Sequence, residues 1–135
     1  MLDAIDELPF LSVAQKFDRV LIDAPCTGTG TLRRNPEIKW RLALDDPARL
    51  AGVQLSILNR AAGVIRKGGR VVYSTCSIEP EENEGVIIRF IDEGAPFRII
   101  RPDAHADLIT PEGFVRTFPH RHQTDGFFAA VLERL

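Results

Sequence analysis

The chain has 135 residues, 44% hydrophobic and 27% charged, which suits one globular domain with its own core and excludes a disordered tail, a collagen-like repeat and a disulfide scaffold. Its 17 basic and 19 acidic residues give a net charge of −2, without the basic surplus that a free-standing nucleic-acid binder usually carries. No apolar run reaches the roughly 20 residues of a membrane span, the N-terminus lacks the basic and apolar regions of a signal peptide, and Cys26 and Cys76 are expected as reduced thiols, so the chain reads as cytoplasmic.

The first residues are polar with scattered Leu and Pro and read as a loop or short helical turn. Phe17 to Asp23 is a short apolar run closed by Ala24-Pro25, the pattern of a buried strand in a parallel sheet. Cys26-Thr-Gly-Thr-Gly-Thr31 follows as a glycine-rich polar loop. Asn35-Pro36-Glu37 opens a short helix through Trp40 to Leu44. Asp46-Pro47 repeats the start signal, and Leu50, Val53, Ile57, Ala61, Val64 and Ile65 recur at helical spacing. Arg66-Lys67 complement that helix's C-terminal dipole, and Gly68-Gly69 stop it.

Arg70 to Ser74 reads as a second buried strand, so strand, helix and strand form a right-handed crossover. Pro80 and the glutamates at 79, 81, 82 and 84 mark the start of a further helix running through Val86, Ile87, Phe90 and Ile91 to Gly94. Phe97–Ile100 is a third strand, and residues 103–113 are loop. Gly113–Phe118 and Phe127–Leu132 are two final strands around a turn-rich segment. The fold class is α/β: parallel strands joined by helices, with an irregular strand pair at the end. In such sheets ligands bind beyond the carboxyl ends of the strands, and both cysteines sit just past such an end.

Several motifs carry chemistry beside a blander reading. Asp23-Ala-Pro25-Cys26 joins a carboxylate, a rigid turn and a thiol, but a free cysteine is commonly inert core. Thr75-Cys76-Ser77 precedes a helix start, whose unpaired N–H groups lower a thiol pKa, while the glutamates of that turn oppose the effect. Gly28-Thr-Gly30 lacks the spacing of a P-loop or a dinucleotide loop and reads as a turn that admits a substrate. His120 and His122 with two distant cysteines do not make a zinc pattern, and no metal is expected. Trp40 and Phe118 are able to stack on a base, although packing in the core or against a helix is the simpler expectation. Glu79, Glu81, Glu82 and Glu84 read as a solvated, dipole-favoured helix start.

Asp23-Ala-Pro-Cys-Thr-Gly-Thr-Gly-Thr-Leu-Arg-Arg-Asn-Pro-Glu-Ile-Lys-Trp40 closely resembles the fourth motif of the Sun (Fmu) family, AdoMet-dependent RNA cytosine-5 methyltransferases. Gly69 to Glu84 is similar to their sixth motif, and Arg116 to Leu132 to their final strands. The resemblance implies a partial Rossmann-like methyltransferase sheet with an antiparallel last strand. It implies that Cys76 adds to carbon 6 of cytosine, so that carbon 5 attacks the AdoMet methyl group. Cys26 would then assist breakdown of the covalent product. Asp23 would hold the cytosine's polar edge and lie against the AdoMet pocket, and Pro25 would hold the loop close to the base. Arg33, Arg34 and Lys39 would take phosphates of ribosomal or transfer RNA.

The family's glycine-rich AdoMet loop precedes the fourth motif and has no counterpart in this sequence. The expectation is therefore a single domain over residues 1–135, the C-terminal half of a catalytic domain. Its first strand would be an apolar edge that recruits a second copy or a partner chain. An inactive, self-associating interaction module is the alternative reading, and a cysteine hydrolase a third.

Overall fold

The computed structural model describes residues 16–135; the N-terminal loop or helical turn read from the sequence lies outside them. The elements are β1 (Phe17–Asp23), α1 (Ile38–Arg41), α2 (Asp46–Val64), β2 (Ile65–Thr75), α3 (Glu84–Asp92), β3 (Phe97–Ile100), β4 (Val115–Thr117), α4 (Pro119–His122) and β5 (Phe127–Arg134). One sheet runs in the order β1-β2-β5-β3, with β4 also paired to β5. β1 and β2 are parallel, with Leu21 opposite Val72 and Asp23 opposite Ser74. β5 is antiparallel to β2, β3 and β4. The chain is thus α/β with an antiparallel last strand, as the alternation of apolar runs and helical periods implies.

The core lies where α2 and α3 cover the sheet, and includes Leu58, Ile65, Val71, Tyr73, Ile87, Phe90, Phe128 and Leu132. Phe90 and Phe97 pack as a tilted aromatic pair, as do Phe114 and Phe128. Leu58 is fully buried. We expect Leu58→Ala to cost about 2–5 kcal/mol, read as a lower urea midpoint with an unchanged slope.

Several elements differ from the sequence expectation, among them β2, which begins at Ile65 rather than Arg70, β4, which is only Val115–Thr117, and β5, which runs on to Arg134. α2 stops at Val64, because Ile65 turns extended (φ −82°, ψ 135°) and enters the sheet opposite Phe17. Residues 66–69 then bulge out between the Phe17–Ile65 and Arg19–Arg70 pairs, with Gly68 in the left-handed region. The buried face of α2 is Gln54, Leu55, Leu58 and Ala61, whereas Leu50, Val53 and Ile57 are only half-buried. The helix expected from Pro80 is split. Pro80–Glu82 forms a 3-10 turn, Asn83 breaks the path, and α3 begins at Glu84. α1 has four residues rather than a run to Leu44, and the segment after β4 holds the short helix α4.

β1 is an edge strand among the described residues, with Leu21 71% exposed on it. Among the same residues no helix is long and apolar enough to cross a membrane.

Candidate active site

The carboxyl ends of β1 and β2 lie side by side, and the parallel pairing continues one step further as the Ala24 N–H donates to Ser74 O at 2.9 Å. Cys26 and Cys76 follow these strand ends and bring their sulfurs to 3.3 Å. The convergence expected from the sequence is therefore present. Both side chains are partly buried and reduced.

The two thiols titrate as a pair. The Cys26 thiol donates its hydrogen to Cys76, which holds Cys26 protonated and lowers Cys76 to about 7. Burial and the negative charges of Asp23 and Glu82 push the other way on Cys76 and are outweighed. The sequence reading assigned this effect to a helix N-terminus, but α3 starts only at Glu84, and the neighbouring thiol is the leading cause. The ordinary value is 9.0 and burial and the two carboxylates act to raise it, so a Cys76 without its donor would be no more than about 1% thiolate at pH 7 rather than about half. We expect Cys26→Ala to slow alkylation of Cys76 at pH 7 at least about 50-fold, with the difference shrinking as pH rises past 9. Iodoacetamide labelling read by peptide mass checks this.

The loop after Cys26 is fixed by residues distant in sequence. Gly30 N–H donates to Cys76 O at 3.0 Å, and Gly126 N–H donates to Gly30 O at 2.8 Å. The buried Asp125 pairs with Arg34. Thr29 Oγ1 accepts the Ile78 N–H. Three loops, from the ends of β1 and β2 and the start of β5, thus interlock around the cysteines. Arg116 on β4 reinforces them by pairing with Glu84 and donating to Ile78 O.

Asp23 ends β1 with its side chain exposed, and Pro25 is exposed beside Cys26 while its carbonyl accepts from Gln54 Nε2 at 2.8 Å. Arg33 and Lys39 are exposed; Arg34 is exposed too, but committed to Asp125. Trp40 is 83% exposed with the Lys39 ammonium 5.7 Å from its ring centre, so the packing role expected for it does not hold. Phe118 is half-buried beneath the Arg116 guanidinium. His122 accepts the Phe118 N–H through Nδ1, a local structural duty. No group of three or more His, Cys, Asp or Glu among the described residues is placed to hold a metal.

The glutamates at 79–84 are not one solvated group. Glu82 is fully buried, Glu84 is half-buried against Arg116 and Glu79 is half-buried, so the reading of all four as a solvated turn holds fully only for Glu81. Sequence reasoning also missed Gln54, Asn83, Arg116, Asp125 and Gly126. All but Asn83 act through contacts with residues far away in sequence, and Asn83 through bonds to Thr75 and Ser77 that depend on the break between the 3-10 turn and α3, so none leaves a local signal.

A family profile described as "16S rRNA methyltransferase RsmB/F" matches residues 3–133. The chain belongs to this family. It is 42% identical over 89% of its length to the "Probable ribosomal RNA small subunit methyltransferase B" of Bacillus subtilis, and 41% identical over 91% to the "Ribosomal RNA small subunit methyltransferase B" of Thermus thermophilus. It covers 28% and 31% of those relatives, under a third of their length. Among solved structures it is similar to "NSun6 from Pyrococcus horikoshii with SFG", with a TM-score of 0.81, 30% identity, and coverage of 98% of this chain and 33% of that one. The family membership agrees with the resemblance carried by the motifs around Cys26 and Cys76.

Proposed function

We propose that this chain is the cytosine-handling half of an RNA (cytosine-5)-methyltransferase acting on small-subunit rRNA. The observation that carries this reading is the pair of thiols 3.3 Å apart at two adjacent strand ends, one held protonated and the other lowered to about 7. A carbon as weakly nucleophilic as cytosine C5 needs a thiolate first, and the pair supplies one near neutral pH. Cys76 forms a bond to C6, and the ring's electrons move toward C5. Once C5 carries the methyl group, Cys26, no longer donating to a Cys76 thiolate, gives its own proton to solvent and as thiolate takes the C5 proton; the C–H electron pair forms the C5–C6 double bond again, and the C6–sulfur bond breaks with its electron pair returning to Cys76. Asp23 faces the polar edge of the base, and Pro25 limits its approach.

AdoMet would supply the methyl group, and the neighbour bound to SFG, an AdoMet analogue, supports that donor. The described residues do not fit it by themselves. Asp23 is the one candidate contact among them, it stands exposed at the end of a strand that is an edge among the described residues, and residues 1–22 contain no glycine. The open side of β1 is where the donor-binding part of the sheet would add. Relatives about three times as long favour that over a second copy of this chain.

RNA would approach across α1. Lys39, Trp40 and Arg41 are exposed on it, with the Lys39 ammonium over the Trp40 ring, and Arg33 is exposed in the segment before it, in a chain of net negative charge. Ile38 on the same helix reaches the Gly28 turn beside Cys76, which puts this surface next to the thiols. A carboxylate, Asp23, close enough to act on a Cys76 whose sulfur lies 3.3 Å from that of Cys26 favours an enzyme over an inactive interaction module.

The test is a chimaera in which this chain replaces the matching segment of the Bacillus subtilis relative, assayed with labelled AdoMet and unmodified small-subunit rRNA. The expected result is label in 5-methylcytosine, identified by mass spectrometry of the hydrolysed RNA. Methylation at another atom of the base would overturn the reading.

A further inference from the structure

We infer that Glu82 is a positioning residue whose buried carboxylate clamps the Cys26 loop to the Cys76 loop and so sets the separation of the two thiols. The inference rests on the reading of these cysteines as the reacting pair. Glu82 is fully buried, and no step assigned to the site uses it.

One oxygen, Oε1, accepts the Thr27 N–H at 2.9 Å and Gln54 Nε2 at 3.0 Å. The other, Oε2, accepts the Thr27 and Ser77 hydroxyls, each at 2.5 Å. Thr27 is the residue after Cys26, and Ser77 the residue after Cys76. The grip extends to the other side of each cysteine. Gln54 also donates to Pro25 O, while the neighbouring Asn83 accepts from Thr75 Oγ1 and donates to Ser77 O. The Tyr73 hydroxyl fixes the clamp to β2 by donating to Glu82 O at 2.6 Å. Both cysteines are thus held from both flanks by one turn, Pro80–Asn83, which reaches Pro25 through Gln54 of α2.

An apolar side chain of the same volume would fill this space without tying the loops. A buried carboxylate is costly to desolvate unless every lone pair is used, and here four donors use them. Its charge is a disadvantage at the thiols, because it disfavours the Cys76 thiolate. What it provides is geometry: the 3.3 Å sulfur separation on which the Cys26 hydrogen bond depends.

Two effects of opposite sign make the inference testable. Glu82→Gln removes the charge but keeps the clamp, since an amide oxygen accepts from Thr27 N–H and Gln54, and an amide N–H donates to either hydroxyl. Glu82→Ala and Glu82→Asp lose or shorten the clamp. The experiment is the pH profile of Cys76 alkylation in the intact chain, with folding monitored by circular dichroism. Other charged and titrating groups bearing on Cys76 are Cys26 and Asp23, and all variants keep both.

For Glu82→Ala and Glu82→Asp we expect the inflection to move up, with alkylation at pH 7 slowed about tenfold. For Glu82→Gln we expect it to stay or move down. A folded Glu82→Ala with the parent profile, or Glu82→Gln rising as far as Ala, would overturn the inference. If neither Ala nor Asp folds, Thr27→Val removes one of the four donors at constant shape and should still raise the inflection; an unchanged profile there overturns it equally. Alkylation needs neither RNA nor methyl donor, so this result is independent of whether the methyl-transfer reading stands.

Discussion

In the chimaera, Cys76→Ala brings cytosine methylation down by about 10³-fold or more, the scale seen when a covalent nucleophile is removed. Cys76→Ser does no better. The serine hydroxyl is un-ionised at neutral pH, and the Cys26 hydrogen bond that lowers a thiol to about 7 cannot bring an alcohol into that range. Cys26→Ala fails differently. It leaves Cys76 able to add to the base, more slowly at pH 7, but removes the group next to the adduct. RNA then remains attached to the protein and is seen as a retarded band on a denaturing gel. Cys76→Ala gives no such band. Methylation surviving in Cys76→Ala within tenfold of the parent would assign the nucleophile elsewhere. An adduct in Cys76→Ala would exchange the roles of the two thiols.

The strands were legible because each is an apolar run with a sharp boundary. Phe17–Asp23 and Phe97–Ile100 have the expected ends, and Cys26 and Cys76 were placed past two strand ends by that reading alone. The buried face of α2 was not legible. Gln54 looks polar, yet it is wholly buried because Pro25 O and Glu82 satisfy its amide N–H groups. That shifts the buried face from the stripe the apolar periodicity suggests. Glu82 was hidden by its neighbours: in a run of four glutamates near a helix start, solvation is the simplest account of all. The 3-10 turn at Pro80–Glu82 rotates that one side chain inward while Glu81 stays outside. Trp40 failed in the other direction, since its environment depends on a segment too short to bury it. Binary pattern thus located the site, but the residues that hold it are polar groups buried by partners from elsewhere in the chain.

Gly30→Ala is expected to damage the protein more than any surface change near the cysteines. A Cβ at residue 30 would lie 2.1 Å from Gly126 O, 2.7 Å from Gly126 C and 2.8 Å from Cys76 O. All three are backbone atoms, so no side chain is able to swing aside. Relief requires the loops to separate, which breaks the Gly30–Cys76 and Gly126–Gly30 hydrogen bonds. Two buried backbone pairs lost, added to the overpacking, cost about 3 kcal/mol or more. For a domain of about this size that lowers Tm by roughly 10 °C or more, measurable by calorimetry. The same separation carries Cys76 away from Cys26, so any folded remainder should alkylate at pH 7 more slowly than the parent. Gly52→Ala is the control. Nothing lies within 4 Å of a Cβ there, and Gly52 is exposed within α2, so alanine should stabilise by about 0.5–1 kcal/mol and leave the thiol profile alone. If Gly30→Ala melts with the parent, the three loops are not locked together through their backbones, and the thiol spacing must come from the Glu82 turn alone.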